Sequence, residues 1–360
     1  MALAPSFSRR HLLQLASLGG ALVAAGSLQG CRSGGAVGRV LSAKGELPAA
    51  WSKGLPSGWR SEQLETPEAV LQALRQPRDH ALLVSLSDGW APQVPSSRLQ
   101  PLDAPALLQL LNPLAEAPSR LFAPPQTPAL AFPWAFGTWV ILLRHRPDLQ
   151  RRRAEGWQLL LDPSLHQRLV LPASPRLLID LAMRQLDLSS LDVNAVDDPR
   201  LPEQLRRLHA QALTLDDPNG LNFLLSGAAD AAVVTSQRAV PLLQRDPRLT
   251  AVLPASGSPL WWQLLLRLEP SQAGQPQPPL PLEWLRDAFS QPLLDRLLAA
   301  GWVPPLPEQQ LQRALARWPE RLRPLLLPPP AVLARCASLP PLTPALRERW
   351  QQLWDQAMSA

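Results

Sequence analysis

Histidine and cysteine are the first places to look for chemistry, and neither is arranged for it here. His11, His80, His145, His166 and His209 show no metal-ligand spacing, and Cys31 and Cys336 cannot supply a zinc site or a disulfide framework. There is no Gly-x-Ser-x-Gly elbow, no phosphate-binding Gly-Lys-Thr loop and no Gly-x-Gly-x-x-Gly fingerprint. The sequence therefore argues against an enzyme, a resident metal and a cofactor. Polar, charged and indole side chains come together in short stretches: Lys44-Gly45-Glu46, Ser87-Asp88-Gly89-Trp90, Ser174-Pro175-Arg176, Thr235-Ser236-Gln237 and Trp261-Trp262-Gln263. Carboxylates hold ammonium groups, and an indole face adds a cation–π attraction of about 0.5–2 kcal/mol. Each residue also has a plainer use. Asp88 before a glycine reads as a turn residue or as a ligand group, Ser174 is first a helix N-cap, and Thr235 and Ser236 either bond a solute or cap a turn.

The elements that hold these stretches alternate. Strands are predicted at Val37–Ala43, His80–Leu86, Arg168–Leu171, Ala231–Val234 and Leu249–Leu253, and the apolar run Val140–Leu143 reads as another. Helices are predicted at Thr66–Arg75, Pro105–Leu114, Leu177–Leu186, Pro202–Leu213 and Asn219–Leu225, with a shorter helical piece at Trp157–Leu161. From Pro281 the chain reads as helical with many breaks. This alternation implies mainly parallel sheets with helices on both faces, and ligands in such sheets sit beyond the carboxyl ends of strands. A chain of 360 residues with 46% hydrophobic content is long enough for two domains. Proline reaches 43 of 360, about 12% against an average near 5%, and lies between apolar segments, where it punctuates helices.

Lysine occurs only at Lys44 and Lys53, so 33 of the 35 basic residues are arginine. They are scattered among acids, and the cluster from Arg144 to Arg153 reads as a solvated helix face, so nucleic acid is not expected as a partner. At the N-terminus, Ser8-Arg9-Arg10-His11-Leu12-Leu13 is a twin-arginine pattern ahead of an apolar stretch interrupted by Gly19, Gly20 and Gly26. Residues 1–30 are expected to be an export signal peptide, whose removal takes away Arg9 and Arg10 and lowers the charge from +6 to about +4. Arg32 to Ala36 makes a short flexible tether, so 31–36 separates the signal from the folded body.

Three further pieces complete a pattern: Phe132-Pro133-Trp134-Ala135-Phe136-Gly137-Thr138, Leu225-Ser226-Gly227 before a strand, and Gly301-Trp302-Val303-Pro304. With the stretches above, Trp157 to Pro163 included, their order over residues 37 to 355 resembles a type II periplasmic solute-binding protein of the spermidine/putrescine-binding group. The resemblance implies an α/β, two-lobed periplasmic-binding-protein type II fold, two mainly parallel sheets flanked by helices with a ligand cleft between the lobes. It places the first lobe at 37–133 plus 260–360 and the second at 134–259. Leu28-Gln29-Gly30-Cys31 resembles a bacterial lipobox, which implies a lipid on Cys31 and a position on the periplasmic side of a bacterial membrane. A lipid on Cys31 would leave Cys336 a lone thiol, expected beside Val332 and Leu333.

The same resemblance implies a ligand site drawn from Lys44, Glu46, Ser87, Asp88, Trp90, Ser174, Arg176, Thr235, Ser236, Trp261, Gln263 and Trp302. Trp90, Trp261 and Trp302 fall where the group lines its cleft, and Trp134 and Trp139 are read as packing the crossover. Several acids of the group are replaced, by Ser174, Leu177 and Gln263, so polyamine specificity does not carry over. The absence of tyrosine argues against the ferric-ion binders of the same fold. The implied function is a monomeric, extracytoplasmic solute-binding lipoprotein that delivers a small amine or other polar solute to the membrane permease of an ABC importer. The alternative is an interaction or structural lipoprotein that keeps the fold with a degenerate cleft.

Overall fold

Among the described residues ten strands carry the fold: β1 (Gly38–Ala43), β2 (Trp59–Leu64), β3 (Ala81–Ser87), β4 (Ala131–Arg144), β5 (Leu169–Leu171), β6 (Ala212–Leu215), β7 (Ala231–Thr235), β8 (Leu249–Val252), β9 (Pro259–Leu268) and β10 (Ala337–Ser338). The computed structural model describes residues 38–76, 81–189, 191–216, 219–270 and 277–359. The expected signal peptide, the tether, Cys31 and His80 lie outside them.

Strands joined through helices pair in parallel, β1 with β2 and β3, and β5 with β6 and β7. The antiparallel pairs all involve β4 or β9, which run between β3 and β7 and join the two sheets. β4 belongs to both sheets: Ala131–Thr138 lies along β9, and Trp139–Leu143 along β7. It is buried on both faces almost throughout, which is why its sequence is a continuous apolar run without alternation. Pro133 has no N–H to give, and the β4–β9 register shifts between Pro133 and Ala135. Side chains beyond the bulge alternate between two cores with period two. Val140 and Leu142 face one core, Ile141 and Leu143 the other, and β7 divides Ala232 and Val234 from Ala231 and Val233 in the same way.

Several prolines have one job. Thr66, Ser174 and Thr343 each precede a proline and accept a hydrogen bond from the backbone N–H three residues on, at 3.2, 3.3 and 3.3 Å. A hydroxyl cap followed by a first-turn proline starts the helices Pro67–Leu74, Pro175–Gln185 and Pro344–Met358.

Some expected elements differ. The helix read over Pro105–Leu114 stops at Leu108, because Pro113 opens a separate turn capped by Asn112. The helix expected to Leu213 ends at Ala210, and β6 follows. The piece at Trp157 is a 3-10 helix that turns at Gly156. β2, β6, β10 and the helix Ser236–Arg245, which carries Pro241 inside it, have no counterpart in the sequence reading. Cys336 is half-buried and its Sγ donates to the Val332 carbonyl.

The last helix, Pro344–Met358, packs on helices Pro175–Gln185 and Leu201–Ala210 behind the second sheet, away from the first-sheet strands whose lobe the resemblance assigns it to. Leu346, Trp350, Leu353 and Ala357 recur at helical spacing, and that stripe needs the apolar surface those two helices offer. The segment leading to it is a strap. β10 pairs with the start of β9, Arg184 donates to the Arg335 carbonyl at 3.4 Å, and Arg335 donates to the Ala255 carbonyl at 2.9 Å. Gly257 has φ +89°, and a Cβ there would stand 2.2 Å from the Arg335 carbonyl oxygen, so strap and β8–β9 connection touch only because residue 257 is glycine. Ser258 stitches the same connection to β4, accepting from the Trp139 N–H at 3.0 Å and donating to the Trp139 carbonyl at 2.7 Å.

Candidate functional site

The candidate residues sit at the carboxyl ends of β1, β3, β5 and β7 and along β9, except Trp302, which follows the helix Leu293–Ala299. β1 and β3 run parallel with Ser42 opposite Ser85, and both serines are fully buried. Gln263 of β9 lies across β3 opposite Ser87 and is 2% exposed. Its side-chain Nε2 donates to Ser85 Oγ at 3.1 Å and to Glu46 Oε2 at 3.3 Å. Ser85 Oγ also accepts from Trp134 Nε1 at 3.4 Å, while Ser42 Oγ has no hydrogen-bond partner. Glu46 is thus tied through Gln263 to the sheet floor, and burial pushes its carboxyl up to about 7, with the Gln263 bond pulling it back.

Under this floor lies a tryptophan layer. Trp51 and Trp284 stack at 4.4 Å and exchange hydrogen bonds, each indole N–H donating to the other's backbone carbonyl at 2.9 Å. Trp134 follows at 4.9 Å from Trp51 and 4.9 Å from Trp302, and Trp302 meets Trp261 edge-on at 5.7 Å. Trp261 lies over Gly137 of β4, where a Cβ would come within 2.5 Å of Ser236 Oγ and 2.8 Å of Trp261 Nε1. Only glycine lets the indole reach that place. Trp261 Nε1 is buried there without an acceptor, and Thr138 Oγ1, next to Gly137 in sequence, is buried without a partner.

Asp88, just past β3, is half-buried, and its carboxyl is pushed up to about 7 by burial, against a hydrogen bond from the Trp262 backbone and the charge of Arg176. Arg176 comes from the other sheet, in the first turn of helix Pro175–Gln185. Burial lowers its guanidinium pKa, with Asp88 and Asp180 acting in opposition. Its Nη2 donates to the Pro340 carbonyl of the strap, and its Nε is buried with no partner.

The remaining predicted residues are placed otherwise. Lys44 is exposed and pairs with Glu65 at 3.5 Å. Trp90 is half-buried against the core of the first sheet. Ser174 caps its helix, and Ser236 Oγ accepts from the Thr138 N–H at 3.3 Å. Thr235 lines a cavity of about 20 Å³ with Trp139, Asp216 and Arg238, room for one water and no solute. A larger cavity of about 280 Å³, between Arg75, Arg98 and Leu268, is lined by none of the predicted residues. Sequence reasoning missed Ser42, Ser85 and Thr138. The signal was present, since a serine or threonine inside an otherwise apolar strand needs a reason.

No family model and no curated protein matches the chain by sequence. Solved structures do. The spermidine/putrescine ABC transporter substrate-binding protein PotD from Streptococcus pneumoniae superposes with TM-score 0.70 at 14% identity, covering 90% of this chain and 99% of that one. The fold is that of the type II periplasmic solute-binding proteins. The Tp0655 (TpPotD) lipoprotein of Treponema pallidum matches with TM-score 0.65 at 13% identity over 89% and 99% of the two chains. A GABA receptor matches with TM-score 0.60 at 14% identity over 88% and 97%. Glu46, Asp88, Trp261, Gln263 and Trp302 gather around β3 and β9 of the first sheet, and Arg176 approaches Asp88 from the helix Pro175–Gln185 beside the second.

Proposed function

We propose that the chain is the extracytoplasmic solute receptor of an ABC importer, holding a small amine or other small polar solute between its lobes and delivering it to a membrane permease. On this reading the seam between the two sheets is the interlobe cleft, with Glu46, Asp88, Trp261, Gln263 and Trp302 on its first-lobe wall and Arg176 on the second. The first-lobe wall is the observation that carries it. Two half-buried carboxyls, Glu46 and Asp88, stand at strand ends beside a buried indole wall, where burial penalises their charge. A cationic group in the cleft would supply the missing counter-charge. Neighbours of the same fold include spermidine/putrescine- and GABA-binding proteins, so the solute has to be read from the side chains.

The lobes divide on this reading at about 133/134 and 259/260, within β4 and at the start of β9, with the C-terminal helix carried by the second lobe. Twin-arginine export, a lipid on Cys31 and a monomeric state complete the proposal, with no catalytic role. The test is thermal unfolding of the purified protein against polyamines, amino acids, betaines, sugars and organic acids. A ligand at about 100 times its Kd adds about 2.7 kcal/mol of stability. A shift with one solute class, lost in Trp261→Ala, is the expected result; a flat panel overturns the receptor reading.

A further inference from the structure

The two walls of the cleft carry opposite charge and ask for different partners. Glu46 and Asp88 on the first wall accept hydrogen bonds and favour a cation. Arg176 on the second wall is a permanent cation, half-buried, and its buried Nε–H has no acceptor. Trp261 Nε1 on the seam is a second buried N–H without one. Both atoms donate and cannot accept, so only an acceptor satisfies them.

The protein's own groups leave that need unmet. The Pro340 carbonyl that Arg176 does reach is neutral. Asp180, one turn along the same helix, is engaged by Arg184 at 2.7 Å. Asp88 is close enough for its charge to be felt at Arg176, yet the two form no ion pair among the described residues.

A diamine fits this cleft badly at one end. Its ammonium groups are donors only, so it would set a cation against Arg176 and leave both orphan N–H groups unmatched. A solute with an ammonium at one end and a carboxylate at the other matches both walls. We propose that the cleft takes a zwitterionic amino carboxylate, its ammonium held by Glu46 and Asp88 and its carboxylate by Arg176, with Trp261 supplying a further donor. This rests on the receptor reading and narrows it to one class of solute.

The test is isothermal titration of the purified protein with matched probes: glycine, β-alanine, 4-aminobutanoate and 6-aminohexanoate against 1,2-diaminoethane, 1,4-diaminobutane and butanoate. The expected result is that one or more amino carboxylates bind at least tenfold tighter than the diamine or monocarboxylate of like length. Arg176→Gln should then weaken the amino carboxylate at least tenfold and leave the diamine unweakened or tighter, since a cation facing its ammonium is gone, and Arg176→Lys should restore part of the loss. Each variant's unfolding midpoint is measured alongside, and Asp88→Asn, which weakens the ammonium end, gives an independent reading if Arg176→Gln does not fold. Diamines binding as tightly as amino carboxylates, or an Arg176→Gln variant that folds and keeps full affinity, overturns the inference and leaves the receptor reading standing. Binding confined to a sugar or another uncharged solute does the same. A protein that binds none of these probes and none of the broader panel loses both readings.

Discussion

The proposed cleft has one wall built into the first sheet, whereas the facing wall is assembled from loop and helix ends beside the second. Glu46 is bonded to Gln263, Gln263 to Ser85, Ser85 to Trp134, and Trp134 rests among other buried tryptophans. Every link but Glu46 is buried, so the wall can move only if the core moves. On the other side Arg176 reaches into the seam from a first helical turn and is held by one carbonyl of the strap. Ser174 and Ser236 spend their hydroxyls on backbone groups nearby. On the proposed reading, the ammonium end of a solute meets a fixed surface, while its other end meets a side chain held by a single carbonyl.

The largest test of that contrast is Trp134→Ala. It opens a cavity beneath the fixed wall and should cost about 3–5 kcal/mol in denaturant unfolding, close to the limit a domain tolerates. A loss below about 1 kcal/mol would mean that the tryptophan layer does not hold the wall.

Next in size is Glu46→Gln, read as a function of pH. The folded carboxyl titrates near 7, above its unfolded value, so its favourable contribution is complete at low pH and is lost as pH rises to about 7. Removing the carboxyl should therefore stabilise the ligand-free protein at pH 8 by at most about 3 kcal/mol and do little at pH 4. Unfolding at the two pH values checks this; a difference between variant and wild type that does not change with pH would place Glu46 outside the buried network.

The smallest effects come from the two serines that face each other across β1 and β3. Ser85→Ala strands two buried donors, Trp134 Nε1 and Gln263 Nε2, and should cost about 1–3 kcal/mol. Ser42→Ala removes a hydroxyl without a partner and should change stability by less than about 0.5 kcal/mol, or raise it. Equal costs for both would show that the network is not what fixes the wall.

Much of the architecture was legible because local chemistry and global fold agree. Thr66-Pro67 and Ser174-Pro175 announce helices that form where they point, and Val140–Leu143 reads as a buried strand because both its faces are covered. The misses have a common cause. β6 has four half-buried residues and no periodic signal, and β10 is two residues long, so each exists through its neighbour and not through its own propensity. The helix Ser236–Arg245 hides behind Pro241. The site was legible as a list of residue types and not as contacts. Nothing in Gly137 alone foretells an indole lying on it, and nothing in Arg176 foretells that Pro340, 164 positions away, supplies its acceptor.

The chain passes the seam three times side by side, in β4, in the β8–β9 connection and in the strap, and the passes are hydrogen-bonded to one another through Ser258, Arg335 and β10. On the two-lobe reading these three bonded passes form the hinge. The C-terminal helix, packed behind the second sheet, would turn with the second lobe as a pointer, so a label near Met358 would report the angle between the lobes.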